Sequence, residues 1–268
     1  MLTVCLLSFG DEIDLFRRAS AHLRALDPRG VSDYRILLNS PRAALLDHGH
    51  RIAERLASEH GVPAHCYAAP EGRYKYPLMR RVLYDEQRPC APLFFWCDDD
   101  TYLQPPWSWQ DVADHLLDHE AIGQLWHRKI QGRQTLWVMS QPWFNPQIGP
   151  PLKLRFMQGS CWGARTASLR QWNWPPPGLR HCGGDSLLGA LAEQQQWNIY
   201  ALSHGYGHGA HINADLAGRH SKSPRRGHRE PEFAADFLPG REYDTSHQQF
   251  SCKVDTYAPI PHPPDPVA

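Results

Sequence analysis

The sequence predicts a single α/β domain in which a mainly parallel central sheet is flanked by helices. Strand and helix patterns alternate through residues 1–70, which is typical of a parallel sheet with right-handed crossovers. The first strand, at 2–8, is apolar with too little alternation for a solvent-exposed face, so it belongs in the centre of the sheet. A second apolar strand, at 93–97, runs directly into three carboxylates, which indicates that its end reaches a surface.

The remaining elements of the first half follow from hydrophobic spacing. Apolar residues near helical spacing predict a helix within 11–27, and acidic residues in its first turn suit the helix dipole. The same arguments predict strands at 34–38 and 64–68 and helices at 43–60 and 75–85.

The second half of the chain is less regular. We predict helices at 109–119 and 183–196, strands at 122–127, 135–139 and 198–202, and a strand edge that turns into a short helix within 159–172. Residues 1–215 are expected to form the domain and 216–268 a loop-rich extension, because 258–268 alone carry five prolines.

Composition excludes several classes of protein. Lys+Arg and Asp+Glu balance at 28 each, so no global field draws the chain to nucleic acid or to an anionic membrane. The seven cysteines include no C-x-x-C pair, which favours a reducing cytoplasm over a disulfide framework or a zinc knuckle. We expect no signal peptide and no membrane span, because the start lacks a basic segment and no stretch approaches about 18 apolar residues.

The strongest chemical signal is Asp98-Asp99-Asp100 behind the strand at 93–97. In an open α/β sheet the ends of such strands are where ligands bind. Asp98 and Asp100 would point to the same side of an extended chain and could share one hard cation. An Asp-rich turn is the alternative, but three carboxylates directly behind a buried strand favour a site.

Asp185 follows two glycines at the predicted start of the last long helix. A plain N-cap would explain it, since such a residue stabilises a helix by about 1 kcal/mol. An N-cap carboxylate on a glycine loop is also rigidly placed for proton abstraction, so the two interpretations are compatible.

Histidines and cations supply the other candidates. Among His204, His208 and His211, one metal ligand is expected; with sixteen histidines in the chain, the others are expected to be surface or structural. Cations beside the carboxylates, at Arg73, Lys75, Arg80 and Arg81, could offset the charge of a phosphate ligand or form a solvated helix face. Residues 219–229 hold five Lys/Arg and no acid, so they could cradle phosphates, of DNA included, or be merely solvated.

In their order and spacing these motifs resemble the GT-A class of nucleotide-sugar-dependent glycosyltransferases, family-2-like, over most of residues 1–215. KYPLMRR followed by WCDDDTYL, then HCGGDSLLGAL and SHGYGHGAHIN, are similar to blocks of a DDD-motif subgroup found in bacteria and phages. The resemblance implies a GT-A-type Rossmann-like domain.

The resemblance also implies a role for each candidate residue. The nucleotide sugar, with its base at the first strand and the LSFG loop, would contact Ser8, Phe9, Asn39, Lys75, Arg80, Asp98 and Asp99. The metal would be bound by Asp98, Asp100 and a histidine, His204 first and His208 next, while the choice between Asp98 and Asp99 stays open. Asp185 would be the catalytic base; the family commonly has an acidic pair where this chain has Gly184-Asp185, which leaves one carboxylate to act.

The expected activity is transfer of a sugar, with inversion, from a nucleotide sugar to an acceptor hydroxyl, with Mn²⁺ or Mg²⁺ as cofactor and UDP as the default nucleotide. The acceptor stays open between a saccharide, a lipid carrier, a protein, a small molecule and hydroxymethylated phage DNA. DNA would bind through 219–229 and 127–129, and a phage-encoded chain would work in the host cytoplasm. A metal-dependent phosphoesterase and a non-catalytic sugar- or nucleic-acid-binding module are the other classes; the first usually needs more carboxylates, the second needs neither the DDD run nor Asp185.

Overall fold

The computed structural model of the chain describes residues 1–9, 13–39, 43–69, 75–99, 107–129, 133–148, 153–177, 179 and 184–201. Over these residues the chain is a mixed α/β fold with a seven-stranded sheet and helices on both faces. The expected domain boundary at residue 215 and the proline-rich tail lie outside the described residues. None of the helices within the described ranges is long and apolar enough to cross a bilayer.

The sheet is parallel except for one strand. Its members are β1 (Leu2–Phe9), β2 (Val31–Asn39), β3 (Ala64–Ala68), β4 (Leu93–Asp98), β5 (Ala121–Lys129), β6 (Lys153–Arg165) and β7 (Ile199–Ala201). Their order across the sheet is β3-β2-β1-β4-β6-β5-β7, and β6 runs antiparallel to both β4 and β5. The expected mainly parallel sheet is therefore confirmed, with β1 near its centre.

Seven α-helices lie in the described parts of the chain. They are α1 (Ile13–Ala25), α2 (Ala43–His60), α3 (Lys75–Leu83), α4 (Trp109–Asp118), α5 (Arg133–Met139), α6 (Thr166–Gln171) and α7 (Gly184–Gln194). A single 3-10 turn at Pro146–Ile148 precedes β6.

The predicted strand at 135–139 is wrong, because these residues belong to α5. A short apolar run does not by itself distinguish a strand from a buried helix. Burial explains the outcome: Leu136 and Val138 would share a face in a strand, yet Leu136 is exposed while Val138 is buried.

The core has two halves, one on each face of the sheet. Alternate residues of β1 and β4 serve the two faces: Leu6 and Phe95 pack with α1, α2 and α4, whereas Leu7 and Trp96 pack with α3, α6 and α7. Since both faces are covered, β1 and β4 are apolar at most positions on both faces, which is the pattern seen in the sequence.

Strand register brings three strand ends together at one edge of the sheet. Leu7 of β1 lies between Leu37 of β2 and Asp98 of β4, and Phe9 pairs with Asn39. The carboxyl ends of three adjacent parallel strands therefore meet where β4 delivers its carboxylate, and ligands of open α/β sheets bind at this edge.

Candidate active site

Lys75 and Trp96 both donate hydrogen bonds to Asp98. Lys75 Nζ donates to its Oδ2 at 2.8 Å, and the indole Nε1 of Trp96 donates to its Oδ1 at 2.7 Å. The side chains of Lys75 and Asp98 are only 7% and 19% exposed. Charge-assisted hydrogen bonds of this length fix the carboxylate plane, so Asp98 is oriented before any ligand arrives.

Lys75 owes its position to the start of α3. Its ammonium lies 5.7 Å from the ring centroid of Trp96 and 5.8 Å from that of Tyr76, both within cation–π range. Two aromatic faces and the Asp98 carboxylate thus help to compensate for the burial of this cation. The charge of the Lys75 ammonium is thereby held at the end of β4.

The other two carboxylates of the DDD run differ from Asp98. β4 ends at Asp98, and Asp99 lies in the following turn with no exposed surface. Asp98 is thus the last residue of the DDD run that lies in a strand. Asp100 lies outside the described residues, and its role as a metal ligand stays a prediction.

Asn39 is a fully buried amide at the end of β2. Its side chain is 0% exposed, and neither Oδ1 nor Nδ2 has a hydrogen-bond partner in the described structure. Leaving a buried polar group unpaired costs about 1–3 kcal/mol. By strand alternation Asn39 shares the sheet face of Leu37, Leu7 and Asp98, so the amide lies on the same face and edge as the oriented carboxylate.

Ser8 and Phe9 end β1 beside Asn39. The Ser8 hydroxyl is also buried, and it too lacks a partner within the described ranges. Ser8 pairs with Leu38, however, so its side chain belongs to the opposite face of the sheet from Asn39. The structure therefore brings Asn39 and Asp98 to one face and Ser8 to the other; the donor contacts of Ser8 and Phe9 stay predictions.

Arg80 and Arg81 of α3 hold backbone carbonyls. Arg80 NH1 donates to Pro175 O at 2.7 Å, and its guanidinium stacks 4.2 Å from the Tyr84 ring centroid. Arg81 NH1 donates to Ala68 O at 3.0 Å. Among the described cations of this segment, Lys75 is the one that reaches Asp98, and the diphosphate contact of Arg80 stays a prediction.

Asp185 lies in the first turn of α7. The helix begins at Gly184, so Asp185 is its second residue rather than the residue before it, and its Oδ1 accepts the N–H of Ser186 at 2.9 Å. The helix dipole stabilises a negative charge in this position. The carboxylate is partly exposed, which a group that takes a proton from a substrate requires.

Residues that could hold a divalent metal are described only in part. Within the described ranges no three His, Cys, Asp or Glu side chains converge as a ligand set. The predicted ligands Asp100, His204 and His208 lie outside those ranges. Asp98 suits the role of one ligand by its chemistry, since a carboxylate at the end of a buried strand is the kind of oxygen donor that a hard cation prefers.

Sequence reasoning missed two residues of this site. Trp96 lies two positions before Asp98 in one strand, so the alternation of side chains could have predicted its contact with the carboxylate. Tyr76 packs against Gly184 at the start of α7, a contact between distant parts of the chain that no local pattern indicates.

No known protein family matches the chain, and no curated protein matches its sequence. Among solved structures it is similar to the mannosyltransferase PcManGT from Pyrobaculum calidifontis in complex with GDP-Man and Mn²⁺, at 13% identity and a TM-score of 0.53. That match covers 91% of this chain but 66% of the mannosyltransferase, just under two thirds of its length.

Two weaker similarities accompany it. The galactosyltransferase LgtC in complex with donor and acceptor sugar analogues matches at 10% identity and a TM-score of 0.42, over 83% of this chain and 81% of that one. A 4-diphosphocytidyl-2C-methyl-D-erythritol synthase from Anaerococcus prevotii matches at 8% and 0.45, over 81% and 93%. At such identities only the fold follows, and it rests on the mannosyltransferase alone: the expected GT-A-like fold is confirmed, while the DDD subgroup stays a prediction.

Proposed function

We propose that the chain is a metal-dependent glycosyltransferase that moves a sugar from a nucleotide sugar to an acceptor hydroxyl. One observation carries the proposal: the buried, unpaired Asn39 amide shares a sheet face and edge with the pre-oriented Asp98 carboxylate. An amide offers one donor and one acceptor group, which suits the edge of a nucleobase. The Asp98 carboxylate ends β4, two strands away from Asn39 on β2, and suits the sugar of the same ligand or the metal bound to it.

The class of donor is supported by the fold neighbour. The similar mannosyltransferase binds GDP-Man and Mn²⁺, and a nucleotide sugar with a divalent cation suits the polar groups at this edge. UDP is the nucleotide implied by the sequence resemblance. In this proposal Ser8, Phe9, Asn39, Lys75, Arg80, Asp98 and Asp99 contact the donor.

Mn²⁺ or Mg²⁺ would be held by Asp98, Asp100 and either His204 or His208. When bound, such a cation stabilises negative charge on the departing diphosphate. Trp96 and Lys75 fix the orientation of Asp98, so little reorganisation of the carboxylate is needed when the ligand binds. Lys75 adds a further positive charge beside the leaving group.

Asp185 would act as the general base. Its carboxylate takes the proton of the acceptor hydroxyl while that oxygen bonds to the anomeric carbon, and the bond from this carbon to the diphosphate oxygen breaks. One displacement of this kind inverts the anomeric configuration. Such proton transfer typically contributes about 10²–10⁴-fold in rate.

A second proposal concerns the acceptor. Residues 219–229 carry five Lys/Arg and no acid, which favours a phosphate-rich acceptor such as duplex DNA with hydroxymethylated bases. Salt-sensitive binding of duplex DNA that Arg225→Ala/Arg226→Ala weakens would support it. Binding unaffected by salt and by these substitutions would exclude it and favour a saccharide, lipid, protein or small-molecule acceptor.

Release of nucleoside diphosphate tests the activity. The protein is incubated with UDP-glucose, UDP-galactose, UDP-N-acetylglucosamine or GDP-mannose, each with Mn²⁺ or with EDTA, and the released diphosphate is measured with water as the fallback acceptor. We expect one donor to be cleaved, only with metal, and Asp185→Asn to lower kcat by about 10²-fold or more. Phosphate release from a simple phosphate ester, with no cleavage of any nucleotide sugar, would instead identify a phosphoesterase.

A further inference from the structure

Two consecutive residues at the start of α3 contact the two elements that carry the proposed site residues, β4 with Asp98 and α7 with Asp185. Lys75 Nζ binds Asp98 at the end of β4. Tyr76, the next residue, is 4% exposed and turns its ring toward Gly184, which begins α7 and precedes Asp185. A single helix start thus lies between the proposed donor carboxylate and the proposed base.

The contact between Tyr76 and Gly184 leaves no room for a side chain. A methyl group placed on Gly184 would overlap the ζ carbon and the hydroxyl oxygen of Tyr76 and would lie 2.5 Å from its Cε2. Gly184 is inside a helix, so its backbone conformation does not require glycine. The close approach of the tyrosine ring requires glycine instead.

Further residues of α3 hold the chain that leads to α7. Tyr76 and Arg80 recur at four-residue spacing along one side of α3, and Tyr84 follows directly after its last residue, Leu83. The Tyr76 ring meets that of Trp174 edge to face at 5.9 Å, Arg80 binds Pro175 O, and the Tyr84 hydroxyl donates to Trp174 O at 3.2 Å. Residues 174–175 are therefore tied to the same helix that orients Asp98.

We propose that Tyr76 is a positioning residue that sets the location of Asp185 relative to Asp98, and that Gly184 is the residue that permits it. The inference rests on the proposed function, because it matters only if both carboxylates act on one substrate. A misplaced general base slows the chemical step while the donor still binds, so a disturbed contact lowers kcat and leaves donor affinity unchanged.

A double-mutant cycle tests the contact. The variants are Gly184→Ala, Tyr76→Ala and the pair together, assayed for kcat by diphosphate release from the best cleaved donor with Mn²⁺. We expect Gly184→Ala to lower kcat about tenfold or more in the native background, because the methyl displaces the start of α7. In the Tyr76→Ala background the space is open, so the same substitution should cost less than about threefold.

Two controls separate positioning from loss of stability. The affinity of the donor site, measured by calorimetry with the nucleoside diphosphate and Mn²⁺, should stay within about twofold of the native value in Gly184→Ala. Gly163→Ala is the matched variant: its methyl would meet Phe95 Cδ2 at 2.8 Å in the buried sheet, so it should lower Tm and leave kcat of the folded protein unchanged.

The outcomes are distinct. Equal losses from Gly184→Ala with and without the Tyr76 ring would overturn the inference and leave the proposed function standing. A loss of donor affinity equal to the loss of kcat would also overturn it, since the contact would then serve binding. No cleavage of any nucleotide sugar by the native protein would overturn both.

Discussion

Buried polar side chains without partners are, at the scale of single residues, the observations that point most directly to a ligand. Asn39 shows this best, because its amide has no exposed surface and no partner in the described structure. A fold gains nothing from such a group, and in the proposed function the donor nucleotide supplies its partner.

Replacing Asn39 with leucine separates function from stability. The unpaired amide is lost, so the ligand-free protein should keep or raise its Tm. The expected gain in unfolding free energy is up to about 1–3 kcal/mol. The thermal shift induced by a nucleoside diphosphate with Mn²⁺ should disappear. A variant that melts lower and still responds to the nucleotide would contradict the role given to Asn39.

Lys75→Met probes the cation that orients Asp98. Without the ammonium the carboxylate keeps the hydrogen bond from Trp96, and Tm should fall. The KM for the donor should rise by about tenfold, as expected when one charge-assisted contact is lost. Arg29→Met is the matched control, since that side chain is 78% exposed and pairs only locally with Asp27; it should leave both quantities unchanged.

Sequence reasoning identified Lys75 and Asp98 from charge beside a buried strand, and the structure places them in contact. It did not identify Trp96 or Tyr76, because a hydrophobic pattern gives an aromatic residue no role beyond the core. The sequence also did not predict on which face of the sheet each residue lies. Ser8 and Asn39 lie at the ends of neighbouring strands yet belong to opposite faces.

At the scale of elements, local signals predicted most helices well. The bounds of α2 and β3 agree with the prediction because strong periodicity and turn residues mark both ends. α5 was mistaken for a strand because seven residues are too few to show a helical period. The antiparallel direction of β6 could not be predicted, since it depends on pairing with β4 and β5 rather than on local spacing.

α4 carries a complete capping box. The Ser108 hydroxyl accepts the N–H of Asp111 at 3.2 Å, and Asp111 Oδ2 accepts the backbone N–H of Ser108 at 2.8 Å. Ser108→Ala should lower the unfolding free energy by about 1 kcal/mol in urea titrations. Ser58→Ala, which removes only an exposed hydroxyl bonded to the carbonyl of Arg55, should change it by no more than a few tenths; a loss equal to that of Ser108→Ala would contradict the cap.

The same cap should make stability depend on pH. Hydrogen bonds from the side chain and backbone of Ser108 hold the pKa of Asp111 below its ordinary value. Its contribution is therefore complete above the ordinary pKa and disappears as the pH falls through the lowered value. Urea titrations should show that the unfolding free energy falls less between pH 6 and pH 3 in Ser108→Ala than in the native protein. Equal decreases in the two proteins would contradict this account.

At the scale of the whole molecule, one buried arginine ties the sheet to the segment after α3. Arg35 is 1% exposed; it pairs with Asp33 at 2.6 Å and donates to the carbonyls of Val82, Arg88 and Pro89. Arg35→Met leaves a carboxylate and three carbonyls without this partner. We expect a loss of about 3 kcal/mol in unfolding free energy, measured by denaturant titration, with donor affinity of the folded protein unchanged. A loss below 1 kcal/mol would contradict the structural role.

The overall architecture was predictable because the alternation of strands and helices, with apolar central strands, admits few alternatives. The spatial relation of the site's parts was not. Asn39, Asp98 and Asp185 lie far apart in sequence, and the sheet order and the packing of α3 against α7 bring their elements together.

The central claim is that this edge of the sheet binds a nucleotide sugar, and a thermal-shift titration tests it most directly. UDP, GDP and their sugars are added with Mn²⁺, Mg²⁺ or EDTA to the native protein and to Asp98→Asn, with Asp114→Asn on the exposed side of α4 as the control. A ligand at 100 times its Kd should stabilise the native protein and the control by about 2.7 kcal/mol. We expect this shift for one nucleotide, only with metal, and not in Asp98→Asn. No shift with any nucleotide, or an equal shift in Asp98→Asn, would contradict the account.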